Sequence, residues 1–308
     1  MYDSALFDID GVLVDIRKSY NAAIKKTVEI MLSRLVGRTY RNLVTDRIIL
    51  HFRHSGGFNN DTDTSYAIIL AMLSRAQKNV AAGRKWLMEV ARSADETGLS
   101  SVEKFLAGYG IGKWKDVLAY PAPVKESMMA RVFDELFYGP KLFRKQNHLE
   151  PKFWKGRPLI KNDRLDVNAR ALEKLHEIFG GNLAIVSGRS RVAAEYSLKP
   201  VMKYFNLDAC VFLEDERREY AKPNPYAIKH AMKVMDAKSA VYAGDSTEDL
   251  LMARRAEKEL AVKIAFVGIY GNSPQPTKTI EKFKREGVEA LAKSVNMLPG
   301  LLQRDLQE

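Results

Sequence analysis

The chain has 308 residues, 46% of them apolar and 28% charged, ordinary figures for a soluble globular protein with one large domain or two smaller ones. A single cysteine, Cys210, excludes an intrachain disulfide and any cysteine-based metal cluster, and it sits in an apolar run as a small buried side chain. No apolar run reaches the ~18 residues a bilayer crossing needs, and the opening residues pass into a strand pattern with an aspartate at position 3 rather than a signal-peptide core, so the expected location is cytoplasmic.

The net charge of +11 raises nucleic acid or an anionic small substrate as partners. Along most helical stretches, as in EKFKRE, cations alternate with acids, which describes a solvated surface. Only residues 141–161, KLFRKQNHLEPKFWKGRPLIK, are strongly biased, and they read as a solvated return linker, with contact to an anionic substrate as the alternative.

In chain order, SALFDID (4–10) reads as a first buried strand. Residues 16–165 then change character. Ile24, Val28, Met31, Leu32 and Leu35 recur at helical spacing, and TSYAIILAMLSRAQ, GRKWLMEVARSAD, SVEKFLAGYG and KESMMARVFDELFYG extend the pattern, with no convincing strand among them. From residue 182 the short apolar runs NLAIVSG, ACVFLED, SAVYAGD and AVKIAFVGI alternate with the amphipathic helices VAAEYSLKPVMKYF, NPYAIKHAMKVMD and TEDLLMARRAEKEL. A weak run, GVEALAKSV, adds an edge strand before a closing helix. Strands alternating with helices predict an α/β fold with a doubly wound parallel sheet. The core is expected over 1–15 and 166–308, with an all-helical insertion over 16–165.

Ligands of such a sheet bind beyond the carboxyl ends of its strands, and the strand ends here are chemically unusual. The first carries Asp8 and Asp10, followed by Gly11, which permits a tight turn. The second ends in Ser187, Gly188 and Arg189, the fourth in Gly244, Asp245 and Ser246, with Asp249 one turn into the next helix. Lys222 precedes Pro223 in the loop after the third strand. Clustered carboxylates invite a hard divalent cation such as Mg2+, while a hydroxyl, an exposed glycine amide and a lysine suit a phosphate. Asp8, ionised at neutral pH, is then a candidate nucleophile, and Asp10 stands two residues on as a candidate proton donor and acceptor.

These residues carry a resemblance. FDIDGVLVD, IVSGRS, the lysine of AKPNP and GDSTEDLLMA resemble motifs I to IV of the haloacid dehalogenase superfamily, in their usual order. The resemblance implies a Rossmann-like core, with the insertion as a C1 type of cap. It further implies Asp8 as nucleophile, Asp10 as general acid and base with its carbonyl on Mg2+, and Ser187, Gly188 and Lys222 on the phosphoryl group. Asp8, Asp10 and Asp245 would hold the metal, with Asp249 supporting it directly or through water. An acid at position 10 resembles the phosphatases and phosphomutases rather than the dehalogenases, whose halide leaves without a proton. The implied activity is Mg2+-dependent hydrolysis of a small phosphorylated metabolite through an aspartyl-phosphate, like the phosphoglycolate phosphatases. The alternatives are a phosphomutase of the β-phosphoglucomutase type, a 2-haloacid dehalogenase, or a non-enzymatic relic that binds nucleic acid. No nucleic-acid-binding motif supports the last.

Weaker signals remain. RHSGGFNND (53–61) is the most polar, loop-like part of the insertion and resembles a Gly-Gly-Phe-Asn stretch in a phosphatase-like branch of the superfamily. It puts forward Arg53, His54 and Asn59 as leaving-group contacts, against a plain solvent turn. Asp15 reads as a cap for the first helix or a hinge support, and Arg189 as either a surface residue or a phosphate contact. The insertion exceeds the shorter caps of the superfamily, and so has room for a complete lid or an interface in a homo-oligomer.

Overall fold

The computed structural model describes residues 2–58 and 60–304. Two compact units are distinguished, Met1–Ile16 with Asp163–Glu308, and Arg17–Asn162. The chain opens in the first with β1 (Ala5–Phe7), all three residues buried, and turns through Gly11 into the two-residue β2 (Val14–Asp15).

The second unit contains α1 (Tyr20–Val36), α2 (Asp46–His54), α3 (Asp61–Ser74), α4 (Val80–Ser93), α5 (Leu99–Leu106), α6 (Gly112–Leu118) and α7 (Met128–Asn147), and no strand among its described residues. Thr45, Asn60, Asn79 and Ser127 start α2, α3, α4 and α7 by accepting hydrogen bonds from first-turn amides. Burial is unbroken along α3 from Thr64 to Leu73, which makes it the centre of this unit.

Three expectations for this unit are corrected. The stretch 53–61 is a turn only over its middle: Arg53 and His54 form the last turn of α2, Asp61 opens α3, and Phe58 is buried with its ring 5.0 Å from that of Phe52. Asn59 lies outside the described residues. The helix expected to stop at residue 139 breaks there, at Gly139 (φ 63°, ψ 173°), but Pro140 opens a further helical segment to Asn147. The basic stretch 141–161 is therefore not a solvated linker throughout, since it buries Phe143 and Ile160. Its return is fixed by Glu135, a fully buried carboxylate on α7. Glu135 accepts hydrogen bonds from the amides of Lys152, Phe153 and Trp154 at 2.8, 2.5 and 2.9 Å and from Arg131 Nε at 2.9 Å.

The chain re-enters the first unit at β3 (Arg164–Leu165), which pairs antiparallel with β2, Val14 opposite Leu165 and Asp15 opposite Arg164. Asp15 does not cap α1, whose N-cap is Ser19; its carboxylate lies 3.3 Å from Arg164 Nη2 and ties the two crossings together. There follow α8 (Ala169–Ile178), β4 (Leu183–Ser187), α9 (Arg191–Ser197), β5 (Val211–Phe212), α10 (Tyr226–Val234), β6 (Ser239–Gly244), α11 (Thr247–Leu260), β7 (Lys263–Ile269), α12 (Pro276–Arg285), β8 (Ala290–Ala292) and α13 (Leu298–Arg304). α9 ends well before the helix read from residues 192–205, since Pro200 lacks an amide and disfavours helix at Lys199.

Six strands form one sheet in the order β5-β4-β1-β6-β7-β8, every pairing parallel. The unbroken apolar runs ALF, LAIVS and AVYAG are what a strand covered on both faces requires. The α/β, Rossmann-like fold expected from the sequence is the fold observed. Among the described residues no helix is long and apolar enough to cross a membrane.

Glu135 yields a prediction. Glu135→Ala strands three amides and the largely buried Arg131 guanidinium, so it is expected to lower stability by about 3 kcal/mol. A thermal or urea midpoint equal to that of the unaltered chain would contradict this.

Candidate active site

The order of the strands reverses at β1: the chain fills one side with β4 and β5, then crosses to β6 and continues outward. Such a switch point opens a crevice at the carboxyl ends of the strands. Register decides which residues reach it. Phe7 lies level with Ile185 on β4 and with Ala243 on β6. Asp8 thus leaves the sheet beside the ends of both neighbours, its amide donating to the Ala243 carbonyl at 3.0 Å.

Three carboxylates converge there. Oxygens of Asp8, Asp245 and Asp249 lie within 4.8 Å of one another. Two glycines allow the approach. A Cβ on Gly11 would stand 2.0 Å from Asp245 Oδ2, and one on Gly244 would stand 2.5 Å from Asp249 Cβ. Asp249, fully buried, is held on both oxygens. Oδ1 accepts from Lys222 Nζ at 2.6 Å and Tyr242 Oη at 2.7 Å, while Oδ2 accepts from Ser246 Oγ at 2.7 Å and from the amides of Ser246 and Asp245. Ser246 and Asp249 together form the capping box that starts α11. Lys222 also lies 2.8 Å from Asp8 Oδ1. That contact is one of charge, for Oδ1 is buried and no donor is aligned on it.

The charges do not balance: three carboxylates face one ammonium. Burial pushes Asp245 well above the ordinary carboxylate range, and the neighbouring Asp249 and Asp8 push further. Asp8 is raised by burial too, with Lys222 opposing. Asp249 goes the other way, because Lys222 and its hydrogen bonds outweigh its burial. Lys222 is held protonated against its burial by Asp249 and Asp8. A buried all-oxygen cluster with a surplus of two negative charges and an orphaned carboxylate oxygen fits a hard divalent cation such as Mg2+.

Asp10 faces a different partner. Burial raises it to about 7, with Arg189 pulling down and Asp8 and Asp163 adding to the rise. A carboxyl poised near neutrality suits a group that must give a proton and take one back. Arg189 is not a surface residue. It is 1% exposed, with Nε 2.5 Å from Asp10 Oδ1 and Nη1 2.7 Å from Asp163 Oδ2. Ser187 is buried at the tip of β4, where its Oγ accepts from the Arg189 amide at 3.4 Å. Gly188, between them, is exposed, with open space where a side chain would stand.

A family model described as haloacid dehalogenase-like hydrolase matches residues 2–257. The chain belongs to that family. No curated protein is matched by its sequence. Among solved structures it is similar to a structural-genomics target known from X-ray data, at TM-score 0.68 and 14% identity over the whole of both chains. A phosphatase from Thermococcus thioreducens gives 0.60 and 24%, covering 92% of this chain and 99% of that one. A protein from Bacteroides fragilis named as haloacid dehalogenase-like gives 0.51 and 16%, covering 97% and 100%. At these identities the likeness establishes the fold.

In this haloacid dehalogenase-like hydrolase Asp8, Lys222, Asp245 and Asp249 form one contact set, while Asp10 and Ser187 are tied to Arg189. Arg53 and His54 belong to the other unit, where Arg53 pairs with Asp61 at 2.7 Å. The sequence reading missed Tyr242 and Asn272, and left Arg189 without its partners. A tyrosine inside an apolar strand is a usable signal, because its buried hydroxyl needs an acceptor. Asn272, whose Nδ2 donates to the Gly11 carbonyl at 3.2 Å and to Asp166 at 3.1 Å, gives no such signal.

Gly11→Ala tests the packing of this cluster. The added methyl displaces the Asp245 carboxylate, so affinity for Mg2+ or Mn2+ is expected to fall about 10- to 100-fold by calorimetric titration. Unchanged affinity would show that Asp245 does not need its place against Gly11.

Proposed function

We propose that this hydrolase is a Mg2+-dependent phosphatase that cleaves a small phosphate monoester through an aspartyl-phosphate. The observation that carries the reading is the pair formed by Asp8 and Lys222. It is a buried carboxylate oxygen with no aligned donor, 2.8 Å from a cation that can also meet an incoming anion.

Asp8 attacks phosphorus, and the bond to the leaving oxygen breaks as Asp10 gives that oxygen its proton. Asp10, now ionised, takes a proton from a water molecule that attacks phosphorus in turn, which frees inorganic phosphate and restores Asp8. An anion approaching a phosphate at about 4 Å costs roughly 4 kcal/mol per unit pair at an effective dielectric near 20, which Lys222 and the amide of Gly188 would offset. Ser187 adds a hydroxyl to the same cradle. Mg2+, when bound, neutralises charge on the phosphoryl group, and Asp8, Asp245 and the Asp10 carbonyl would hold it. Asp249 has both oxygens engaged in fixing Lys222 and the Asp245 loop, and would support the metal directly or through water.

Assay of small phosphate monoesters is expected to give stoichiometric free phosphate with Mg2+, background with a chelator, and recovery when Mg2+ is restored. Asp8→Asn should lose on the order of 10⁴-fold or more in kcat while keeping its thermal midpoint. Robust hydrolysis by that variant would remove Asp8 as nucleophile. Transfer of phosphate between sugar positions without release would replace the phosphatase by a mutase.

A further inference from the structure

Arg189 belongs to a buried network that the proposed reaction leaves unused. The residue follows β4 directly and spans two acids, Asp10 through Nε and Asp163 through Nη1. Ser197, at the end of α9, accepts from Nη1 at 3.0 Å and donates to Asp163 Oδ2 at 2.6 Å, so the far side of the guanidinium is fixed by a closed triangle. All of this lies within the first unit, and the Asp163 side chain is 4% exposed. A guanidinium does not lose its proton at any accessible pH, and its planar fork meets two partners along defined directions, which an ammonium does not.

We propose that Arg189 is a positioning residue that fixes which oxygen of Asp10 handles the proton, an inference that rests on the phosphatase reading above. Oδ1 accepts from Nε and is thereby engaged, so the proton given to the leaving oxygen sits on Oδ2. Asp163 and Ser197 hold the guanidinium itself, and Asp10 is kept in one orientation through both halves of the cycle. Removing Arg189 leaves the carboxyl able to rotate and to protonate on either oxygen. What is lost is the geometry of proton delivery, not attack by Asp8.

The difference is visible in how the rate depends on the leaving group. Breaking the ester of p-nitrophenyl phosphate needs no proton donor, whereas an alkyl phosphate does, and kcat/KM reports only the steps up to departure of the leaving group. Arg189→Lys is expected to lower kcat/KM for an alkyl phosphate by about 10²-fold and for p-nitrophenyl phosphate by less than about 10-fold. Ser197→Ala removes one anchor without uncovering a buried charge. It should fold if Arg189→Lys does not, and show the same selectivity at several-fold. In an Asp10→Ala background, adding Arg189→Lys should cost nothing further on the alkyl ester. Equal losses on both esters, no loss on either, or a full additional loss in the double variant would overturn the proposal while leaving the phosphatase intact. Failure of the unaltered chain to hydrolyse either ester with Mg2+ would instead overturn the phosphatase reading, and this proposal with it.

Discussion

An excess of buried negative charge at the carboxyl ends of β1 and β6 is the constraint around which the core unit is organised. An unpaired carboxylate away from water costs several kcal/mol, and Asp8, Asp245 and Asp249 share one ammonium between them. The surroundings reduce that cost piece by piece. Gly11 and Gly244 supply bare backbone where a side chain would clash, Tyr242 sends its hydroxyl from inside the sheet, and the first turn of α11 turns its amides on Asp249. What these leave uncompensated is close to the charge of one divalent cation. An imbalance of that size and an all-oxygen lining are what a hard divalent ion suits.

Two carboxylates two residues apart are given different cations, Lys222 at Asp8 and Arg189 at Asp10. Asp8 and Asp10 are both raised by burial. Asp8 looks toward a lysine, a compact charge on a flexible stem. Asp10 looks toward an arginine locked by Asp163 and Ser197, which can do nothing but hold it. Lysine suits a contact that changes during turnover, and arginine one that must not. The division of labour proposed for Asp8 and Asp10 matches that choice of cation.

Much of this was legible before any coordinates. The short apolar runs of the core sit where strands form, and the polar residues that stop them are those that meet at the switch point, because an α/β sheet places the ends of sequence-distant strands side by side. Asp8, Lys222, Asp245 and Asp249 could therefore be placed together from motif order alone. Arg189 could not be placed, since an arginine after a strand-end glycine looks the same in sequence whether it faces solvent or two acids 179 and 26 positions away. α2 went unread because its nine residues hold only three buried side chains in a polar setting. The broken α7 was obscured because Gly-Pro marks both a stop and a start. Asp15 resembled a helix cap, as any acid before a helix does, until its strand partner Arg164 was known.

The pairing of β2 with β3 has a bearing on how such a protein can change over time. The helical unit leaves and returns through residues that face each other across one antiparallel rung, Asp15 opposite Arg164. A segment whose two ends are already neighbours makes little geometric demand on its host, whatever its own length, because closing a longer loop adds only slowly to the entropic cost. The host sheet is thus insulated from the size of its guest: helices can be gained, lost or rearranged between those two residues while the chemistry at the strand tips keeps its register.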